Sequence, residues 1–329
     1  ARGLRAKDGT READARLSGT AEGGILKIQR LTLGGRDGQA FARGVLNLST
    51  EALALGVSGR ISDLAHGLWP WAVEGVAGQL SFVGMIGGTL KAPAFSGRVR
   101  GQALSVKAVR LGSVEGPVEV ARGRVASRGL NLAVGRSVGV LAGEAKLPPL
   151  PHVTGNWQER LTLALKLDAK GRVEDFSASL PRSLPLGGPF ILQLIANGTP
   201  KRLTGSGRME VRELRVGAER LESLHASIGF EGSGLAVRSL TGRFRGIAFR
   251  AEGQLGLSGS YRFTLTPVTL NLATLPLVPG LGGTAVLSAR GTGELSTPQM
   301  EGELALTDTA FRDMRVGDGR LQFTMGESQ

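Results

Sequence analysis

The sequence predicts an all-β protein, built as an elongated, mostly antiparallel repeat sheet with one or two very short helices. Apolar and polar residues alternate along short segments, which is typical of strands with one buried face. Glycine contributes 51 of the 329 residues and aromatic residues only 5%, as expected for many turns between strands of small side chains. No strand–helix–strand alternation occurs, so consecutive strands should pair antiparallel. With turns about every 8–12 residues, roughly 20 to 25 short strands are expected.

The clearest strands are LTLALKL (161–167), FILQLIA (190–196), IAFRA (247–251), YRFTL (261–265) and VTLNL (268–272). In each of them the apolar residues recur at every second position, so they project to the same side of the strand. We expect that side to be covered or to line an apolar groove. The residues are Leu161, Leu163, Leu165, Leu167, Phe190, Leu192, Leu194, Ile247, Phe249, Tyr261, Phe263, Leu265, Val268, Leu270 and Leu272.

One segment has helical rather than strand periodicity. In SDLAHGLW (62–69), Ser62 can cap a helix, and Leu64, Ala65, Leu68 and Trp69 follow at helical spacing. Pro70 would end such a helix. A helix of one to two turns is predicted there.

A first pattern recurs in residues 63–101, 175–211 and 271–306. Each copy begins with Asp or Asn and an apolar residue, passes through a Leu- and Pro-rich loop and a glycine, and reaches a Gly-Thr pair. In GTLKAPAFSG (88–97) this pair precedes a Pro-x-x-x-Gly stretch, which predicts a hairpin connection. In the third copy the proline and glycine come two residues later, which we interpret as a longer turn. The predicted turn residues are Gly88, Thr89, Pro93, Gly97, Gly198, Thr199, Gly207, Gly291, Thr292, Pro298 and Gly302.

A second pattern recurs between these copies. It is a glycine followed four residues later by a leucine, at Gly44 and Leu48, Gly143 and Leu147, and Gly253 and Leu257. Two independent patterns with a spacing of about a hundred residues predict a repeat array. The predicted divisions are a partial repeat over 1–62, repeats over 63–174 and 175–270, and a truncated repeat over 271–329. We expect these to form one continuous sheet rather than separate globular domains, and to be an internal piece of a longer chain.

The residues that carry enzyme chemistry are sparse. The chain has no cysteine, and its three histidines, His66, His152 and His225, have no metal-ligand spacing. The stretch GRSVG (135–139) matches a serine nucleophile pattern, but a strand rather than a helix follows it. No nucleotide-binding fingerprint occurs. We therefore predict that the chain is not an enzyme and has no cofactor and no metal.

The charge suggests an anionic partner only weakly. The net charge is +12, but the basic residues are spread along the chain and are not interleaved with aromatic residues, so nucleic acid is not expected as a partner. No apolar run is long enough to span a membrane. The tryptophans Trp69, Trp71 and Trp157 fit either a membrane- or partner-facing spot or a sealed seam of the sheet.

The combination D-L-x-x-L-x-P, then glycine, then G-T-L-x-A-P-x-x-x-G resembles the repeats of TamB and the wider AsmA-like envelope family of diderm bacteria. Residues 63–101 carry the resemblance most fully, followed by 271–306 and then 175–211. The resemblance implies an extended sheet curled into an open groove with an apolar inner face, often called a β-taco. It also implies a periplasmic protein held in the inner membrane by an upstream segment, with membrane contact through flanking segments.

The same resemblance implies the function and the partners. Proteins of this family are thought to conduct phospholipids between the inner and outer membranes, with effects on outer-membrane protein assembly and envelope integrity. Phospholipid acyl chains and an outer-membrane barrel protein of the assembly-factor type are the implied partners. The alternative from the sequence is a structural or adhesive β-repeat surface protein with a closed core, because a sheet with one apolar face can also fold onto itself.

Overall fold

The computed structural model describes residues 2–8, 11–35, 37–64, 76–106, 109–147, 161–179, 185–200, 202–232, 234–256, 259–274, 279–294 and 297–326. These residues form β-strands and two short 3-10 helices, with no α-helix among them. The prediction of an all-β chain with antiparallel pairing is confirmed. In the predicted helix only residues 62–64 are described, and they are not helical; residues 65–69 lie outside the described part of the chain.

The chain divides into two compact units. The first comprises residues 1–171 and 197–200. Each of its strands pairs antiparallel with the next one in sequence, so the unit is a meander. The strands are β1 (Arg2–Asp8), β2 (Arg11–Glu22), β3 (Ile25–Gly35), β4 (Gly38–Asn47), β5 (Leu53–Ile61), β6 (Val76–Gly88), β7 (Pro93–Val106), β8 (Val109–Ala121), β9 (Arg124–Val134), β10 (Ser137–Lys146) and β11 (Thr162–Arg172), whose last residue belongs to the second unit.

The second unit comprises residues 172–196 and 201–329. The strands β14 to β21 pair antiparallel in sequence order, and β12 pairs with the end of β14. The elements are the 3-10 helix η1 (Val173–Ser179), β12 (Leu186–Gly187), β13 (Pro189–Thr199), β14 (Arg202–Val216), β15 (Glu219–Gly232), β16 (Gly234–Phe244), β17 (Ile247–Gly256), β18 (Ser260–Asn271), the 3-10 helix η2 (Leu272–Thr274), β19 (Leu281–Glu294), β20 (Thr297–Phe311) and β21 (Met314–Met325).

Most predicted strands appear as expected, with one correction. YRFTL and VTLNL are not two strands but the single strand β18. The pairing of β18 with β19 shifts between Leu265 and Val268, so a bulge separates the two predicted segments. Pro267 lies within this bulge, where its missing backbone N–H removes no ladder hydrogen bond. Alternation alone predicts two strands here, since Thr266 and Pro267 separate Leu265 from Val268.

A pair of residues with positive φ, one on each of two neighbouring segments, recurs three times at the spacing of the repeat. We call it the paired irregularity. One partner is a glycine with positive φ near the start of β6, between β12 and β13, and near the start of β19. The other is a non-glycine residue with φ near +50° in β7, β14 and β20. A Cβ atom on each glycine would lie within 2.8 Å of its partner's carbonyl oxygen. The pairs are Gly78 and Ala103, Gly188 and Glu213, and Gly283 and Asp308.

The same spacing corrects the alignment of the third copy of the first pattern. Gly88, Gly198 and Gly293 all have positive φ and each follows its glycine of the paired irregularity by ten residues. Gly88 pairs with Pro93, and Gly293 pairs with Pro298. The counterpart of Gly88 is therefore Gly293, and the turn of the third copy is not longer. The predicted turn residues Gly291 and Thr292 lie inside β19.

The second pattern also occupies equivalent positions. Gly44 in β4 and Gly143 in β10 have φ of 145° and 146°, and a Cβ atom on either would overlap the carbonyl oxygen of the following strand. The backbone N–H of Leu48 donates to a turn glycine at 2.7 Å, and that of Leu147 does so at 2.6 Å. Leu257 lies outside the described residues. The glycine of this pattern is thus required by a close approach of two backbones.

We expect Gly143→Ala to lower the free energy of unfolding by on the order of 1–3 kcal/mol, because its backbone conformation is accessible essentially only to glycine. Urea denaturation monitored by circular dichroism measures this. Gly34→Ala in β3 is the matched control, since a Cβ atom there meets no heavy atom within 4 Å. Equal losses in the two variants would contradict the prediction.

Candidate apolar binding surface

The second unit has one apolar face that runs across β13 to β21. In an antiparallel ladder, directly opposed residues project to the same side, so the register identifies the members of a face. Phe263, for example, opposes Gly253 in β17 and Gly291 in β19. The apolar residues found in this way include Phe190, Leu192, Leu194, Leu203, Met209, Val211, Leu214, Leu221, Leu224, Ile228, Phe230, Leu235, Leu240, Phe244, Ile247, Phe249, Leu255, Tyr261, Phe263, Leu265, Val268, Leu270, Leu287, Met300, Leu304, Leu306, Leu321, Phe323 and Met325.

The opposite face of the second unit is polar and charged. Arg290 pairs with Glu301 across β19 and β20, and Arg320 lies 3.6 Å from Glu303. By contrast, the only charged residue on the apolar face of the described strands is Glu219, the first residue of β15. Polar and apolar side chains are therefore separated onto the two sides of the sheet.

The first unit has the same division. Leu163, Leu165 and Leu167 of β11 oppose apolar residues or glycine of β10. The face continues strand by strand to β3, with a composition like that of the second unit. Its larger members are Leu26, Ile28, Leu31, Leu46, Leu55, Val57, Leu80, Phe82, Ile86, Phe95, Val99, Leu104, Val114, Val118, Val120, Val125, Leu130, Leu132 and Leu141.

The face opposite to it in the first unit contains some apolar residues that the sequence analysis did not predict. Val83 and Met85 of β6 are 58% and 55% exposed. They lie on the side of the sheet that carries Arg98 and Arg100, as the pairing with β7 shows. Alternation in β6 is therefore incomplete, because both sides of this strand carry apolar residues.

The apolar faces are shielded only in part. No large side chain in the described part of the chain is fully buried, so neither unit encloses a conventional core. All the predicted groove residues are nevertheless buried or half-buried. In β13, Phe190 is 8% exposed, whereas Ile191 on the other side is 46% exposed. Similar side chains on the two sides of one strand are thus shielded very differently.

Phenylalanine rings on these faces lie over glycines of neighbouring strands. The ring of Phe263 occupies the space that a side chain on Gly291 would need, and Phe323 does the same at Gly302. Gly97 likewise leaves room for the ring of Phe95, which lies two residues earlier in the same strand, β7. These three predicted turn glycines are therefore strand residues that make room for aromatic rings, and their absence of a side chain keeps the face smooth.

A cluster of hydrogen bonds around the carboxylate of Glu174 fixes one end of the second unit's sheet. Glu174 of η1 accepts hydrogen bonds from Arg172 at 2.8 Å, from Arg215 of β14 at 3.1 Å and from the backbone N–H of Gly188 at 3.1 Å. Burial raises the pKa of Glu174, but the hydrogen bonds from Gly188 and Arg172 outweigh it, and the pKa falls to about 2. The ionised carboxylate therefore ties η1 to β14 and to the start of β13.

Bulges have a recognisable sequence signal in this chain. The apolar face is kept through four stretches in which two residues, polar or proline, separate two apolar ones, instead of one. The strand register shifts within each of them. The stretches are IQRL (28–31), LESL (221–224), VRSL (237–240) and LTPV (265–268).

The remaining candidate residues that the structure describes do not assemble into a second site. His225 lies on the exposed polar face of β15, and GRSVG forms the hairpin between β9 and β10, with Ser137 as the first residue of β10. His66, His152, Trp69, Trp71 and Trp157 lie outside the described residues. Within the described ranges, no helix is long and apolar enough to cross a membrane.

Comparison with known proteins finds no match for this chain among protein-family models, curated proteins or solved structures.

We expect Glu174→Gln to remove part of the pH dependence of stability in acid. The pKa of Glu174 is about 2 in the folded chain instead of 4.5. Ionised Glu174 therefore adds to the free energy of unfolding at pH values above 4.5, and this contribution is lost as the pH falls from 4.5 towards 2. The free energy of unfolding of the wild type should therefore drop more than that of the variant between pH 6 and pH 3, as measured by urea titration. Glu303→Gln on the polar face is the control, and an identical pH dependence in Glu174→Gln and wild type would refute the assignment.

Proposed function

We propose that the chain binds phospholipid acyl chains on its apolar faces and that it is a non-enzymatic, lipid-conducting segment of an envelope protein of the TamB and AsmA-like type. The observation that carries this proposal is the single apolar face of each unit, which is continuous from strand to strand and has no second layer over it among the described residues. An apolar surface of this extent that remains only half-buried is expected where an apolar partner binds.

The chemistry of the face fits an acyl chain better than a ligand with polar groups. An acyl chain needs apolar walls and no directional contacts, and each buried CH₂ group contributes about 0.8 kcal/mol. The described face of the second unit consists mainly of leucine, phenylalanine, valine and glycine, with Glu219 as the only charged residue among the described ones. A wall of uniform chemistry lets a lipid move along it without a deep energy minimum.

The difference in exposure between the two sides supports a sheet that curves towards its apolar side. In a flat, single-layered sheet, similar side chains on the two faces would be equally exposed. In β13, Leu192 and Leu194 are half-buried, whereas Ile191 and Ile195 are 46% and 50% exposed. Curvature that brings the apolar side chains together gives this difference and favours the open groove that the resemblance implies.

The cellular setting in the proposal rests on the resemblance carried by residues 63–101, 175–211 and 271–306. We place the chain in the periplasm of a diderm bacterium, between an inner-membrane anchor and an outer-membrane barrel partner. There it would carry phospholipids between the membranes and support outer-membrane protein assembly.

The test is mass spectrometry of organic extracts from the chain purified without detergent from a bacterial host. Several phospholipid molecules per chain are expected. A folded, lipid-free monomer would contradict the proposal and favour the structural or adhesive repeat with a closed core.

Leu265→Asp on the apolar face should lower the affinity for phospholipid at that position about tenfold, because leaving a carboxylate against acyl chains costs at least about 1.4 kcal/mol. The amount of co-purified phospholipid per chain should fall accordingly. Thr264→Asp is the matched control, since Thr264 is the neighbouring residue on the exposed face. Circular dichroism establishes that both variants retain their strands. Equal lipid content in the two variants would argue against lipid on this face.

A further inference from the structure

The strands of the second unit end at two rims that differ in their connections. At one rim, which we call the η rim, β14, β16, β18 and β20 end and β12, β15, β17, β19 and β21 begin. The register places these ends side by side, since Val216 opposes both Leu186 and Glu219, and Phe311 opposes Met314. We call the other one the opposite rim.

The connections at the η rim include both 3-10 helices. Thirteen residues separate β11 from β12, and nine separate β18 from β19. At the opposite rim the strands are joined by one to three residues, for example between Thr199 and Arg202 and between Gly232 and Gly234. Connections of that length are too short to extend over the apolar face, whereas the described parts of the η-rim connections include η1 and η2.

The two 3-10 helices place apolar side chains at the η rim. The ring of Phe176 in η1 meets the ring of Phe190 edge-on, with 5.8 Å between their centroids. Leu272, the first residue of η2, is only 4% exposed. The side chain of Asn271 fixes η2 by accepting a hydrogen bond from the backbone N–H of Ala273 at 3.1 Å. The recurring dipeptide of Asp or Asn and an apolar residue is thus Asp175-Phe176 in η1 and Asn271-Leu272 at the start of η2. Its apolar residue packs at the η rim in both copies, next to the Glu174 hydrogen bonds in the first.

Burial along the strands differs between their two halves. Every described apolar residue of this unit that is larger than alanine and is classed as buried lies in the η-rim half or in η2; these are Phe190, Val211, Leu224, Val268 and Leu272. At the strand ends themselves the two rims do not differ: Val216, Phe244 and Ile247 at the η rim are half-buried, as are Leu203, Phe230 and Leu255 at the opposite rim. What distinguishes the η rim is therefore the contact of Phe176 with Phe190 and the burial of Leu272.

A polar boundary marks the opposite rim. The ring of Tyr261 stacks on Phe263 with a centroid distance of 6.2 Å, and its hydroxyl exchanges two hydrogen bonds of 2.8 Å with the backbone of Gln299. A tyrosine with an apolar ring and a wet hydroxyl is typical of the boundary between an apolar phase and water. Tyr261 therefore lies at the level where the acyl chains of a bound lipid would meet its headgroup.

We infer that a phospholipid bound to the second unit has its headgroup at the opposite rim and its acyl-chain ends towards the η rim, where η1 and η2 close the apolar face. This inference rests on the proposed lipid binding. A headgroup at the η rim would have to displace Phe176 or Leu272 from apolar contacts, whereas a headgroup beside Tyr261 stays in water. Phe176 and Leu272 are therefore the residues that set the orientation of the lipid.

Two photoreactive phospholipids test the orientation on the full chain. Both are phosphatidylethanolamines; one has a diazirine on its headgroup, and the other has it near the end of one acyl chain. A strand rises about 3.4 Å per residue, so Tyr261 and Leu272 are separated by on the order of 35 Å along β18, and peptide mapping by mass spectrometry resolves them. We expect the headgroup probe to label the vicinity of Tyr261 and Met300, and the acyl probe to label the vicinity of Phe190 and Val268.

Failure of the inference differs from failure of the proposed function. Labelling of the apolar face by both probes with the same distribution, or headgroup labelling at the η rim, overturns the orientation alone. Absence of labelling on the apolar face by either probe overturns lipid binding itself.

A matched pair of variants tests the closure. In Phe176→Ala, headgroup labelling at the η rim should rise severalfold, because the ring that closes this rim is gone. In Phe230→Ala, which removes the same ring from the opposite rim of the same face, it should not change. If Phe176→Ala behaves like the wild type while retaining its strands by circular dichroism, η1 does not close the rim and the inference is wrong.

Discussion

The whole structure depends on keeping the apolar residues of successive strands on the same side of a sheet. A slip of one residue between two strands would turn the apolar side chains of one of them into water. The bulges at 28–31, 237–240 and 265–268 prevent this where the alternation changes phase, because the extra residue restores the orientation. Each bulge thus maintains the apolar face across a strand whose sequence is out of step with its neighbour.

Glycine serves this constraint in two different ways. At Gly44 and Gly143 the backbone of the next strand approaches so closely that a side chain would overlap it. At Gly291 and Gly302 the space belongs to the ring of a neighbouring phenylalanine. The high glycine content is therefore not explained by turns alone. Small residues let the strands approach and leave room for the aromatic rings on the face.

A single layer with one apolar face has a thermodynamic consequence for function. In a two-layered protein the apolar face would be covered by another element of the chain; here, among the described residues of the second unit, only η1 and η2 add apolar contacts outside the strands, through Phe176 and Leu272. A lipid that covers the remainder would add to the stability of the fold, since a ligand that binds only the folded state shifts the equilibrium towards it. Structure and lipid content should thus be coupled in this chain.

The sequence by itself determined the strands, their alternating faces and the spacing of the repeat, because side-chain period and turn chemistry are local properties. Leu192, Phe249 and Leu270 were assigned to the shielded side from alternation alone. Only the tertiary structure decided that Gly293 rather than Gly291 corresponds to Gly88, that Ala103, Glu213 and Asp308 adopt positive φ, and that Phe176 packs on Phe190. These features arise from which strand pairs with which and in what register, and a strand's own sequence contains no information about the backbone that lies opposite it.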